Sequence, residues 1–292
     1  MKILNIGSIN LDHVYRVDHF IRPGETQPCK TFQVFPGGKG LNQSIALAKA
    51  GANVFHAGKV GRDGAWLVDL MKEAGVHTEY TQVVDRETGT AVIQVDDSGQ
   101  NGILLNDGAN KTFDRDFVTQ VLSGFREGDI LLLQNEINLI PEMIAMAWEK
   151  GMKIALNPSP ANDTIKACDL NKVTWLLLNE IEGEWLTGET QPEAIAQQLI
   201  KDFPNLKVVL TLGDKGSLYR SADTALSIPA LKVKAVDTTG AGDTFTGYFL
   251  MSAAAGREPG EAMETATKAA AISVSRPGAA VSIPVYSEVC VK

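Results

Sequence analysis

The sequence predicts an α/β fold three layers deep: a mainly parallel central sheet covered by helices on both faces, with a small separate β-sheet as a lid. Three observations carry that expectation. Short apolar runs alternate with helix-period patterns along most of the chain. At 292 residues the chain sits near the upper limit for one hydrophobic core, so a single domain over 1–292 with a small appendage is expected. One region, 89–107, breaks the alternation with two strand patterns and no helix between them.

Taken in order, the candidate central strands are 2–7, 129–134, 153–157, 174–178 and 207–212. Two helices carry clear stop and start signals. "LNQSIALAKAGA" places Leu41, Ile45 and Ala48 at helical spacing and stops at Gly51, while "PEMIAMAWEKG" opens on Pro141 and stops at Gly151. "GTAVIQVDDSGQNGILLND" reads as two strands around a polar turn. With the β-branched and aromatic stretch 12–35 it supplies the lid. The Pro/Gly clusters at Pro158 to Pro160 and Pro277 to Gly278 read as loops at sheet edges, and no internal repeat or linker divides the rest.

Composition excludes several function classes. Lys and Arg number 27 against 35 Asp and Glu, a formal charge of −8, which argues against a nucleic-acid or anionic-membrane surface. The three cysteines, Cys29, Cys168 and Cys290, lie too far apart for a metal-ligand pair or a disulfide framework, and Cys29 is expected to be buried as a small apolar thiol. The opening "MKILNIGSINLD" has no continuous apolar core, and no run reaches the roughly 20 apolar residues a membrane helix needs. A cytoplasmic protein is expected.

The stretch "VDTTGAGDTFTGYF" is the most telling. A strand ending near Val236, a glycine-rich turn and a helix from about Ala241 would put unpaired N–H groups at a helix N-terminus, a site for an anion. Asp243 in the first turn projects into the same space. A carboxylate there repels phosphate unless it faces a hydroxyl that attacks the phosphorus, accepting its proton while the turn neutralises the transferring group. A plain helix-capping Asp is the competing reading.

Two segments about 200 residues apart, "FPGGKGLNQ" and "DTTGAGDTF", resemble the signature regions of the ribokinase-like carbohydrate kinases. "GSINLD", "NPSPA", "NEIE" and "TLGDKG" occur in that family's order, so the resemblance spans nearly the whole chain. It implies the family's three-layer α/β/α fold and direct in-line transfer of the ATP γ-phosphoryl group to the C5 hydroxyl of D-ribose, with Asp243 as base and Gly240, Ala241 and Gly242 as the anion hole. A kinase for deoxyribose, another sugar or a nucleoside is the near alternative; a non-catalytic sugar-binding regulator is the distant one. The Gly-x-Gly-x-x-Gly fingerprint of a nicotinamide dehydrogenase is missing, and Lys39 is followed by Gly40 instead of Ser or Thr, which rejects a Walker-type cradle.

The resemblance also implies residue roles. Asn10 and Asp12, just past the first strand, would bind sugar hydroxyls, although an Asn/Asp turn reads the same way locally. Gly38, Lys39, Gly40 and Asn42 would contact the sugar from a helix N-terminus, and Glu136 would add a further contact, with a solvated loop side chain as the alternative in each case. Asn179 is assigned to phosphate and Glu182 to the water shell of Mg²⁺, against a simple capping sequence. Thr211, Gly213, Gly216, Gly242 and Thr267 would wall the ATP site. Asp237, Thr239, Ser273, Arg276, Gly278 and Ser282 match positions around a K⁺ activator, several through backbone carbonyls. Two departures stand out: Tyr248 replaces a small residue, and Thr267 stands where Asn or His often borders the adenine. Exposed lid edges suggest a homodimer.

Overall fold

The computed structural model describes residues 1–290. Its strands are β1 (Ile3–Ile6), β2 (Asn10–Arg16), β3 (Thr31–Gly37), β4 (Val54–Val60), β5 (His77–Val83), β6 (Gly89–Val95), β7 (Asn101–Asn106), β8 (Ile130–Gln134), β9 (Lys153–Asn157), β10 (Trp175–Asn179), β11 (Lys207–Thr211), β12 (Ser217–Arg220) and β13 (Ala225–Ile228). The helices are α1 (Lys39–Lys49), α2 (Ala65–Glu73), α3 (Arg115–Ser123), α4 (Ile140–Glu149), α5 (Asp163–Lys166), α6 (Glu180–Thr187), α7 (Pro192–Asp202), α8 (Ala241–Ala254), α9 (Pro259–Val274) and α10 (Tyr286–Val289).

Nine strands form the central sheet in the order β13-β12-β11-β10-β9-β8-β1-β4-β5. From β11 to β5 every pairing is parallel, whereas at one margin β12 runs antiparallel to both β11 and β13. The period of two along each strand sorts the side chains into two cores. Ile130 and Leu132 of β8 face α1, α2, α8 and α9, whereas Leu131 and Leu133 face the layer built from α3, α4 and α7. A strand buried on both faces needs apolar residues at every position, which is why these runs were legible as strands. All five predicted central strands are present within a residue or so of their expected limits.

The sequence reading missed β4, β5, β12 and β13. In β4 the buried run is interrupted by His56 and Lys59, both enclosed, so its apolar signal is diluted; β5 is a margin strand whose outward positions are polar. The strand expected to end near Val236 is absent. Pro229 follows β13, and residues 231–236 pair with no strand, although the Val236 N–H reaches the Val274 carbonyl at the end of α9. The Pro158 to Pro160 loop follows β9, an interior strand, so it lies at a strand end within the sheet and not at the sheet margin.

The small sheet has the order β3-β2-β6-β7. Both outer pairs are antiparallel, and β2 runs parallel to β6. It leaves Phe32, Val34, Ile103, Leu104 and Leu105 exposed, Leu104 by 72%. Cys29, in the connection between β2 and β3, is exposed, contrary to the expected burial, as are its neighbours Pro28 and Lys30. Among the described residues, no helix is long and apolar enough to cross a membrane.

Candidate active site

The sheet changes its direction of winding at β1. From β1 the chain passes outward to β4 and β5, then returns to β8 on the other side and winds away through β9, β10 and β11. The carboxyl ends of strands flanking such a reversal form an open crevice. There the structure gathers Asn10 and Asp12 beyond β1, Glu136 beyond β8, Asn157 at the end of β9, Asn179 at the end of β10 and Thr211 at the end of β11.

The N-terminus of α8 points into that crevice. Gly240 has φ 73°, a left-handed conformation that a side chain opposes, and a Cβ there would lie 2.9 Å from that of Ala279. Within the turn the Ala241 N–H reaches the Thr238 carbonyl at 3.3 Å, while the Gly242 and Asp243 N–H groups have no backbone acceptor. Of the three anion-hole residues named from sequence, Ala241 therefore has its N–H partly engaged. The competing reading of Asp243 as a cap fails, because its carboxylate is turned away from its own helix. Asp243, only 7% exposed, accepts a 3.0 Å bond at Oδ2 from Asn42 Nδ2 and a 2.9 Å bond at Oδ1 from Gln43 Nε2. Gln43 was missed by sequence reasoning; its signal was its place beside Asn42 in a short polar run, Asn42 to Ser44, at the start of a helix that continues apolar on its buried face.

On the acceptor side, Asp12, Glu136 and Lys39 form one electrostatic cluster with Asp243. Burial pushes the Asp12 carboxyl up to about 7, with Glu136 and Asp243 adding to the rise. Burial likewise raises Glu136, partly offset by Lys39 and by hydrogen bonds from Ser8 Oγ and the Lys39 N–H. For Lys39, burial pulls the ammonium toward deprotonation, but Asp243, Glu136 and Glu182 outweigh it and hold its pKa above the ordinary lysine value. Asn10 Oδ1 takes a 2.7 Å bond from Asn110, a second residue the sequence reading passed over. The glycines serve close approach: a Cβ on Gly40 would meet Ser8 N at 2.4 Å, and Gly38 has φ 89° with Asn10 N 3.0 Å from its Cβ position.

Two cavities meet at the α8 turn. The smaller, about 130 Å³, is lined by Lys39, Asn157, Asn179, Glu182 and residues 240–243. The larger, about 640 Å³, is lined by Thr211, Gly213, Gly216, Phe245, Thr267 and the segment 230–233, and shares Thr211, Thr238, Ala241 and Gly242 with the first. Thr267 Oγ1 is buried without a partner among the described residues. Asn179 and Glu182 make a reciprocal capping box at the start of α6, so the capping reading holds for both, yet both also face the smaller cavity.

Behind the turn, Asp237 accepts bonds from the Thr239 N–H and hydroxyl and, through Oδ2, from the Gly278 N–H at 2.9 Å. Ser273 and Ser282 hydroxyls lie 2.8 Å apart, and Thr244 Oγ1 links Ser273 to the Gly240 carbonyl. The Arg276 guanidinium instead pairs with Glu288, leaving only its backbone for this loop. Tyr248 is fully enclosed and donates to the Pro284 carbonyl at 2.7 Å, which accounts for a large residue at that position of α8.

Residues 1–285 match the model of the pfkB family carbohydrate kinases. The chain belongs to that family. This kinase is 36% identical over 292 residues to a ribokinase of Haemophilus influenzae, the match covering 97% of this chain and 95% of the relative. Its fold superposes on a ribokinase of Cryptococcus neoformans in complex with ADP with a TM-score of 0.88 at 32% identity, covering 99% of this chain and 98% of that one. An Arabidopsis thaliana ribokinase complexed with ribose and ATP gives a TM-score of 0.84 at 29% identity, covering 98% and 96%. The ribokinase-like three-layer α/β/α architecture expected from the motifs is thus the observed one.

Proposed function

We propose that this kinase phosphorylates D-ribose at its C5 hydroxyl, using ATP, by direct in-line transfer. The observation that carries the reading is the Asp243 carboxylate, clamped by Asn42 and Gln43 beside N–H groups of the α8 turn, where the cluster of Asp12, Glu136 and Lys39 meets two adjoining cavities suited to a nucleotide. The relatives named ribokinase give the same acceptor and donor.

In this mechanism Asn10, Asp12 and Glu136 orient the sugar through its hydroxyls, which carboxylates and amides match as multiple acceptors and donors. Asp243 holds the attacking hydroxyl in line and takes its proton. The Gly242 and Asp243 N–H groups and the Lys39 ammonium face the charge that spreads over the transferring phosphoryl oxygens. Thr211, Gly213, Gly216 and Thr267 border the base and ribose of the nucleotide. The small sheet acts as the lid of a single domain, closing over the sugar to exclude water. Its exposed apolar face and open edges suit pairing with a second copy, making a homodimer.

The residues present fit two cations. Glu182, Asn179 and Asn157 offer oxygens to one cavity, and no cluster of three or more His, Cys, Asp or Glu exists among the described residues; Mg²⁺, which keeps its waters and leans on substrate phosphates, needs no such cage. Mg²⁺ supplies charge neutralisation of the nucleotide phosphates when bound. Burial pushes Asp237 up, but bonds from Thr239 and Gly278 outweigh it and keep its carboxylate ionised, so with the carbonyls of 276–282 it suits K⁺. We place the protein in the cytoplasm.

The test is sugar-dependent ADP release with MgATP, comparing D-ribose, deoxyribose, fructose and adenosine with and without K⁺. Preferred turnover of ribose is expected. Preference for deoxyribose, which a 32% identical deoxyribokinase of Salmonella typhi also suggests as an acceptor, would redirect the substrate while keeping the chemistry. No turnover with any acceptor would reject the kinase reading for this chain.

A further inference from the structure

We propose that Gln43 is a positioning residue for phosphoryl transfer, the last link of a directed relay of buried amides that runs from Gln134 to Asp243. It rests on the reading of Asp243 as the base and adds a residue that the motif comparison did not assign.

The direction of the relay is fixed by backbone carbonyls, which can only accept. Asn5 Nδ2 donates to the Gly40 carbonyl at 2.8 Å, so its Oδ1 must be the end that faces Gln134. Gln134 Nε2 therefore donates, at 3.0 Å to Asn5 Oδ1 and at 2.7 Å to Gln43 Oε1. With its oxygen taken, Gln43 has only its NH₂ left to present to Asp243, 2.9 Å away. A second anchor agrees. Asn157 Nδ2 donates to the Leu177 carbonyl at 2.7 Å, so its Oδ1 accepts the other Gln43 hydrogen at 3.3 Å.

The cost of this arrangement argues that it is kept for a purpose. Gln134 is fully enclosed and its Oε1 has no partner among the described residues, a buried orphan that an apolar side chain would avoid. What the orphan secures is a donor aimed at Gln43. With Asn42 on one oxygen of Asp243 and Gln43 on the other, each oxygen keeps one remaining lone-pair direction for a substrate hydroxyl, and the carboxylate plane cannot rotate. No atom of Gln43 needs to touch substrate. It acts through Asp243.

The experiment compares kcat, KM for the sugar, the pH profile of kcat/KM and thermal midpoint for the parent chain and for Gln43→Met, Gln43→Glu and Gln134→Met. Loss of a charge-assisted donor predicts a kcat lowered about 10- to 100-fold in Gln43→Met, with KM changed by less than about threefold. The acid limb of its pH profile is expected to move to higher pH, because the ionised base has lost a donor. Gln43→Glu sets a second carboxylate against Asp243 and falls further at pH 8. Its activity relative to Gln43→Met should climb as the pH drops and the introduced acid regains a proton to donate. Gln134→Met, which frees the Gln43 amide to turn over, should show a smaller loss in the same direction.

A Gln43→Met chain with parental kcat and an unmoved acid limb overturns the proposal. So does a loss that follows the fall in thermal midpoint across all three variants with no change in any pH profile, the mark of a merely structural role. Should Gln43→Met fail to fold, Gln43→Glu and Gln134→Met carry the same comparison. An inactive parent chain would instead reject the kinase reading, so the two failures are distinguishable.

Discussion

Gly247 offers the sharpest link between packing and catalysis. It lies one helical turn beyond Asp243 on α8, and Ala46 lies one turn beyond Asn42 on α1, so the two helices touch at successive rungs: carboxylate against amides, then glycine against alanine. A Cβ on Gly247 would sit 2.4 Å from Ala46 Cβ and 2.9 Å from Leu47 N, against the 3.4 Å or more of an ordinary contact. Gly247→Ala therefore forces the helices apart by about 1 Å, because the obstacle is rooted in backbone and cannot swing away. The amide bonds of 3.0 and 2.9 Å to Asp243 would open to nearly 4 Å, past the roughly 3.2 Å reach of a hydrogen bond. Overpacking of this kind costs about 1–3 kcal/mol, a fall of about 2–5 °C in Tm for a chain of this length. Two weakened charge-assisted bonds predict a much larger effect on kcat, about 10- to 1000-fold. Steady-state kinetics beside thermal unfolding decides it. Parental kcat in a folded variant with lowered Tm would refute the claim that helix spacing sets the geometry of the base.

The remaining predictions use different parts of the site. Gly242→Ala is the counterpart: its Cβ meets nothing within 4 Å, so Tm should hold or rise while turnover falls because the methyl group enters the phosphate cavity; unchanged turnover would remove Gly242 from the anion site. Asp243→Ala should lower kcat by about 10²- to 10⁴-fold with sugar binding still measurable by calorimetry, and substantial residual activity would reject it as base. Asp12 titrates at about 7 in the fold against 3.8 when unfolded, so the folded chain retains a proton the unfolded chain has lost, and this stabilising contribution fades as pH rises from about 4 to 7. Asp12→Asn should thus gain on the parent by about 2–3 kcal/mol between pH 5 and pH 8 in chemical denaturation, a flat difference arguing against the raised value. Thr267→Val removes a hydroxyl that no protein group satisfies; Tm should not fall, whereas KM for ATP should rise about 2- to 10-fold, and an unchanged KM would place the hydroxyl outside nucleotide recognition.

Much of the fold was legible because it is written locally. Strands β8, β10 and β11 are buried on both faces and so consist of uninterrupted apolar runs, while α1 and α4 end at glycines of φ 91° and 73° that few other residues would tolerate. Among the strands that escaped notice, β4 and β5 carry polar residues that are enclosed or exposed by neighbours far along the chain. The turn at Gly240 and the carboxylate three residues later were likewise legible, since both belong to one helix start. The expected strand before it was not formed, because strand formation needs a partner and none lies beside 231–236.

By itself, then, the sequence determined the alternation of elements, the anion turn and the presence of Asp243 at its edge, all features that depend on neighbours within a few residues. The tertiary structure alone decided that Gln43, 200 residues away, supplies the second donor to that carboxylate, that the relay behind it points one way, and that Asp12 holds its proton to about pH 7. The physical reason is that hydrogen-bond direction and desolvation depend on what is near in space, and a sheet that reverses its winding at β1 brings together residues that no local pattern relates.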